Sequence, residues 1–207
     1  MGHDITFYLQ ITIAIFTILD PLAVIPIFLS LTSSQNDEEK RKTIRQTVKA
    51  VAIILIVAAL AGNMILEFFG INVDYFKIAG GILLLLIALN MLQAKAPLIY
   101  TTPKEQIEAE AKNDISIVPL AIPLLAGPGT ISTVIVFSSS MQTVGSQITF
   151  VAIILAISAT IWPILLLSKW IGEKIGSTGI NIAIRIMGLI LASISVKFIM
   201  EGVKASL

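Results

Sequence analysis

Asp20 and a run of glycines and prolines near residue 127 are the residues of this chain best placed to do chemistry. Asp20 stands inside an apolar stretch, Ile18-Leu19-Asp20-Pro21-Leu22-Ala23-Val24-Ile25-Pro26. The second stretch reads Pro119-Leu120-Ala121-Ile122-Pro123-Leu124-Leu125-Ala126-Gly127-Pro128-Gly129-Thr130. Proline removes a backbone donor and strains the turn before it, and Gly127 and Gly129 free the backbone further. In lipid, the carbonyls and amides so released must find partners in protein, water or a bound solute. A half-helix that begins near Pro128 aims free N–H groups and a positive dipole end at its surroundings, a ready place for a carboxylate. Thr130, Ser132 and Thr133 add hydroxyls on the same segment. Carbonyls unwound beside Asp20, together with its carboxylate, suit an ammonium group. Two such poles fit a zwitterion, and walls of Gly and Ala, including Ala23 beside Pro21, leave room for a small neutral one.

A carboxylate deep in a membrane costs about 2.5–3.5 kcal/mol on insertion scales, so function is its default reading. Asp20 has three roles that the sequence leaves open: it binds substrate, it carries a proton, or it caps the half-helix that follows it. Lys77 and Arg185 lie near span ends and suit snorkelling, or packing and gating. Gly80, Gly81 and Gly188 suit close helix contact. Asn63 and Asn90 are polar residues within spans, for which hydrogen bonds between helices are the expectation.

These residues need elements to hold them. The chain has 207 residues, 56% of them hydrophobic and 13% charged, with a mean hydropathy of +0.94. A soluble domain carries about 25% charged residues, so the chain reads as an integral membrane protein. Net charge is +1, which offers no footprint for nucleic acid. There is no cysteine, the single histidine is His3, and no metal or cofactor site is expected. No Lys or Arg precedes the first apolar run, so that run reads as a span and not as a removable leader. Six spans follow: Thr6–Leu31, Ile44–Phe69, Phe76–Ala94, Ile115–Phe137, Ile148–Ser168 and Ile182–Met200. Helices are the form they must take. The second begins in water, because Ser33 to Lys42 runs from capping residues through acids to bases. A polar connector at 96–114 holds a short helix near Lys104–Lys112. Lys and Arg cluster on the side of the first, third and fifth loops, which places both termini outside the cytoplasm.

The two halves resemble one another. Val51-Ala52-Ile53-Ile54-Leu55 recurs as Val151-Ala152-Ile153-Ile154-Leu155; Lys77-Ile78-Ala79-Gly80 answers Arg185-Ile186-Met187-Gly188; and Asp20-Pro21 answers Gly127-Pro128. With three spans in each half, the second half (115–207) crosses upside down relative to the first (1–95). The expected fold is therefore all-α, six transmembrane helices in two inverted three-helix repeats forming one membrane domain, with helices 1 and 4 discontinuous. Paired interrupted helices in such repeats are the best sequence pointer to a transport site. At 1.5 Å per residue, Asp20 lies about 20 Å into its span and Thr130 about as far into the fourth.

These motifs resemble the MarC family, also called the six-helix neutral amino acid transporter (NAAT) family. The likeness is carried by Asp20-Pro21 with Pro26, Phe28 and Leu31-Thr32; by Phe76 to Ile82; by Asp114-Ile115 and Val118 through Ile131; and by Arg185 to Leu189 with Gly202. It covers nearly the whole chain. Ala23 stands where the family pattern has a small Gly, and Asn90 where many relatives carry an acid. The resemblance implies a prokaryotic inner-membrane protein that moves small neutral amino acids such as glycine or alanine.

The expected activity is secondary transport by alternating access. No Gly-rich ATP-binding loop is present, so coupling would be to H+ or Na+ or absent. The expected partners are a small neutral amino acid and the bilayer, with homo-oligomerisation left open. A channel or a binding module without flux is the alternative. An intramembrane enzyme is least favoured, since the chain has no His-Glu-x-x-His motif and no paired aspartates within its spans.

Overall fold

The computed structural model describes residues 5–93 and 115–206; the connector at 96–114, its short helix and His3 lie outside the described residues. Every element among the described residues is helical. The first apolar stretch forms α1 (Ile5–Leu19) and α2 (Pro21–Leu31), broken at Asp20. Next come α3 (Asp37–Phe68) and α4 (Val73–Leu92). The fourth stretch is again two pieces, α5 (Ser116–Leu125), which is a π-helix, and α6 (Pro128–Ser138). The chain ends in α7 (Val144–Leu166) and α8 (Ser168–Ser206), the latter interrupted at Gly176 with φ 66° and ψ 173°.

Local chemistry accounts for the starts. Asn36 accepts the Glu39 N–H at 3.0 Å while the Glu39 carboxylate accepts the Asn36 N–H at 2.8 Å, a reciprocal cap. Three acids, Asp37, Glu38 and Glu39, follow in the first turn, as the macrodipole favours. The helix therefore starts at Asp37, ahead of the apolar run that begins near Ile44. Thr143 and Ser146 cap α7 in the same reciprocal way, and Asn72 caps α4.

Among the described residues, five helical stretches are long and apolar enough to cross a bilayer: Ile5–Leu31, Asp37–Phe68, Val73–Leu92, Val144–Leu166 and Thr178–Ser206. Neither α5 (10 residues) nor α6 (11 residues) spans alone. Together they carry the fourth apolar stretch, which is compatible with a sixth crossing. Large apolar side chains point outward, Phe68 at 84% and Met64 at 70% exposure among them, as befits surfaces bathed in lipid rather than water.

The halves interlock. Helices α4 and α8 run antiparallel along a glycine-lined seam. A β-carbon at Gly81 would stand 2.9 Å from the Ser195 carbonyl oxygen, and one at Gly188 would stand 3.2 Å from the Ala88 carbonyl oxygen. A β-carbon at Gly202 would stand 2.6 Å from the carbonyl oxygen of Asp74. Gly81 thus meets the later part of α8, and Gly188 meets the later part of α4. That exchange of partners is compatible with an inverted repeat. In the same manner α3 packs on α5 and α6. Thr47 donates to the Ser116 carbonyl at 3.1 Å, Ser138 donates to the Ala59 carbonyl, and Gly62 lies against Ile135. The main core joins α1, α2, α3, α5 and α7 around Ile15, Leu19, Phe28, Leu55, Leu125 and Ile154. A smaller one joins Ile18, Leu84, Val136, Leu191 and Phe198.

Candidate functional site

Asp20 is the only residue other than glycine with positive φ among the described residues (φ 39°, ψ 63°). One residue therefore ends α1 and starts α2. Its N–H reaches the Phe16 carbonyl at 3.1 Å, closing the last turn of α1. Its Oδ1 accepts the Ala23 N–H at 3.3 Å, and its own carbonyl accepts the same N–H at 3.2 Å. Few side chains both tolerate the left-handed region and cap a helix; Asp and Asn are the ones that do. Pro21 follows at the first helical position, where its missing N–H is no loss and its fixed φ suits the turn. Asp20 is only 8% exposed, and among the described residues no cation lies within ion-pair distance of it. The capping role is thus present in the structure, and no described residue supplies the carboxylate with a countercharge.

The fourth stretch breaks differently. Pro119 and Pro123 remove two amides four residues apart, and the coil between Ile115 and Ala126 widens. Leu120 N–H bonds the Ile115 carbonyl at 3.4 Å, and Ala126 N–H bonds that of Ala121 at 2.8 Å. π-helical turns are rare and concentrate at functional sites. Gly127 is extended (φ −77°, ψ 175°), and Pro128 opens α6 with no side chain capping it. The amides of Gly129 and Thr130 are therefore not taken up by a cap. The nearby hydroxyls close the gap in the carbonyls instead. Thr130 donates to Leu125 O at 2.9 Å, Ser132 to Pro128 O at 2.8 Å and Thr133 to Gly129 O at 2.9 Å. Their protons are engaged on backbone, so toward a solute they offer lone pairs only.

The two breaks lie side by side. A β-carbon on Gly129 would stand 3.9 Å from Ile18, 3.3 Å from Leu84 and 2.7 Å from Ile87. The first turn of α6 is thereby seated against the end of α1 and the middle of α4. Gly80 faces Ser132, whose Oγ would stand 3.6 Å from a β-carbon there. Gly81 and Gly188 belong to the α4–α8 seam. Lys77 pairs with Asp74 at 3.6 Å. Arg185 is exposed and has no carboxylate within ion-pair distance among the described residues; the step that carries Lys77 to Arg185 carries Asp74 to Ile182.

A groove of about 380 Å³ runs between α1, α7 and α8, lined by Thr12, Phe16, Thr17, Ile157, Thr160 and Met187 among others. It begins one turn before Asp20 and does not include the breaks. The Thr12 and Thr160 hydroxyls bond their own helices at 2.8 and 2.6 Å, so its wall is apolar in effect. Nothing in the sequence marks this groove, because its lining comes from three helices far apart in the chain. Asn63 meets the expectation of a bond between helices, with Nδ2 3.4 Å from the Ser138 Oγ.

Comparison with known proteins bears on the whole chain. The family described as MarC family integral membrane protein matches residues 5–207. The UPF0056 membrane protein YhcE of Escherichia coli (strain K12) is 36% identical over 201 residues, covering 97% of this chain and 94% of the relative. A UPF0056 membrane protein of Methanocaldococcus jannaschii is 39% identical over 206 residues, covering 99% of each. One from Buchnera aphidicola subsp. Baizongia pistaciae is 38% identical over 204 residues, covering 98% and 95%. Relatives thus occur in bacteria and archaea, and they are named as membrane proteins rather than as enzymes. No solved structure matches.

Proposed function

The chain belongs to the MarC family of integral membrane proteins, and from that premise we propose that it is a secondary transporter of small neutral amino acids of the glycine and alanine class. One observation carries the reading. Each half contains a span that breaks at a proline and restarts as an 11-residue half-helix with that proline in its first turn, and the second restart is seated against the end of α1, beside the first break. Broken helices facing one another within inverted repeats are the arrangement in which solute sites form near the bilayer midplane.

In this reading the Asp20 carboxylate and the carbonyls around it hold the ammonium. The amides at the Gly127-Pro128-Gly129-Thr130 turn hold the carboxylate. Ala23 and Ser132 bound the pocket and keep it small. The halves rock about the α4–α8 seam to open the pocket first to one side and then to the other. An H+ or Na+ gradient supplies the driving force. The protein sits in the inner membrane of a prokaryote with both termini outside the cytoplasm.

The test is counterflow of labelled glycine and alanine into proteoliposomes preloaded with the unlabelled amino acid. Saturable accumulation is the expected result. Flux that does not saturate would make the protein a channel. Ligand-induced thermal stabilisation without flux would make it a binding module.

A further inference from the structure

We infer that Arg45 and Lys49, on the outer face of α3, form a binding site for the phosphate of an anionic phospholipid headgroup. One exposed stripe of α3 runs Arg41, Arg45, Lys49, Ile53, Val57, Leu60, Met64 and Phe68, at helical spacings of three and four. Its first three members are basic. The next five are apolar and 61, 55, 57, 70 and 84% exposed. The charge changes once along the stripe, between Lys49 and Ile53.

From Lys49 to Phe68 the helix rises about 28 Å at 1.5 Å per residue, which matches a hydrocarbon core of about 30 Å. Lys49 therefore stands where acyl chains end and headgroups begin. Arg45 stands about 6 Å further out, within a headgroup layer some 5–8 Å deep on each side. Arg41 stands about 12 Å out, beyond that layer. A lipid of the nearer leaflet, whose tails lie along Ile53 to Leu60 in the half of the core next to Lys49, thus meets two cations at the height of its phosphate.

Neither cation is neutralised by another described residue. Despite Asp37, Glu38 and Glu39 nearby, no carboxylate lies within ion-pair distance of Arg45 or Lys49 among the described residues. The Arg45 guanidinium is held 5.9 Å from the ring centroid of Trp162 on α7. That contact restricts a long side chain, and an indole ring favours the same layer of the membrane. A lipid is favoured over a soluble anion because the stripe continues as apolar surface without a break.

Trp162 is also the reporter. The chain has two tryptophans, Trp162 and Trp170, so Trp170→Phe leaves one. The full chain with that change is reconstituted in phosphatidylcholine bilayers. Part of the lipid is then replaced by brominated phosphatidylglycerol or, separately, by brominated phosphatidylcholine. The anionic quencher is expected to act at lower mole fraction. Its advantage should fall about fivefold for each of Arg45→Gln and Lys49→Gln. Arg45→Lys with Lys49→Arg, which keeps both charges, should retain most of the advantage, and Lys204→Gln should leave it unchanged. Equal quenching by both lipids overturns the site. So does an equal loss in Lys204→Gln, which would reduce the effect to net charge. Loss of the preference in excess inorganic phosphate would make it a site for a soluble anion instead.

Discussion

Replacing Asp20 separates its structural work from its charge. The residue holds a left-handed conformation and caps α2 through a 3.3 Å bond to the Ala23 N–H. Asn keeps both properties, so Asp20→Asn is expected to change stability by no more than about 0.5 kcal/mol, the scale of interchange among good caps. Ala loses the cap, at about 1 kcal/mol, and retains a β-carbon in the left-handed region without a polar group to ease it. Asp20→Ala is therefore expected to be about 1–2 kcal/mol less stable. Gly loses the same cap but relieves a left-handed penalty of about 1–2 kcal/mol, so Asp20→Gly should fall near the parent. Transport orders the variants differently. If the carboxylate holds the substrate ammonium, Asn and Gly fail along with Ala, although two of the three fold as well as the parent. Reversible unfolding in mixed micelles gives the first series, and counterflow of labelled alanine gives the second. Flux through Asp20→Asn at the parental rate would remove the charged role. Stability of Asp20→Ala equal to that of Asp20→Asn would remove the cap.

The seam between α4 and α8 yields a contrast. Gly81→Ala and Gly188→Ala should each cost about 1–3 kcal/mol, because the new methyl meets backbone at 2.9 and 3.2 Å, whereas Gly80→Ala meets Ser132 at an ordinary 3.5 Å and should be mild; thermal unfolding of the three in one detergent checks the order. Gly129→Ala meets only the tips of Ile87, Leu84 and Ile18, so it is expected to fold with a modest loss yet lower substrate affinity by displacing the first turn of α6, read as a raised half-saturation in counterflow. Ser138→Ala removes the hydroxyl that joins α6 to the Ala59 carbonyl and should cost about 1 kcal/mol; no change in unfolding would show that this link between the halves is idle.

Much of this architecture is legible in the sequence because lipid leaves so few options. Long apolar runs must be helices, and a proline with glycine or aspartate beside it must interrupt them. The start of α3 is legible because Asn36 and Glu39 stand three apart with acids between them. The glycine seam is legible as a stripe of small residues, although its partners are not. Other features are decided by tertiary contacts. Pro119 and Pro123 predict a defect but not a π-helix. Asp20 predicts a cap but not the left-handed turn that lets one residue serve two helices. Thr130 and Ser132 predict polar groups at the break, but whether a hydroxyl faces a solute or its own backbone depends on where the carbonyls end up. The interruption at Gly176 had a signal in Gly176-Ser177-Thr178-Gly179, masked by the apolar residues that follow.

The exchange of partners between halves has a consequence for biogenesis. As the ribosome delivers the chain, α3 enters the membrane with Thr47, Asn63 and the Ala59 carbonyl still waiting for α5 and α6, and α4 enters with its glycine face waiting for α8. Neither three-helix half supplies all of its own polar and glycine contacts. Final assembly is postponed until the last span arrives, so a truncated chain would leave an unfinished surface for quality-control proteases to find.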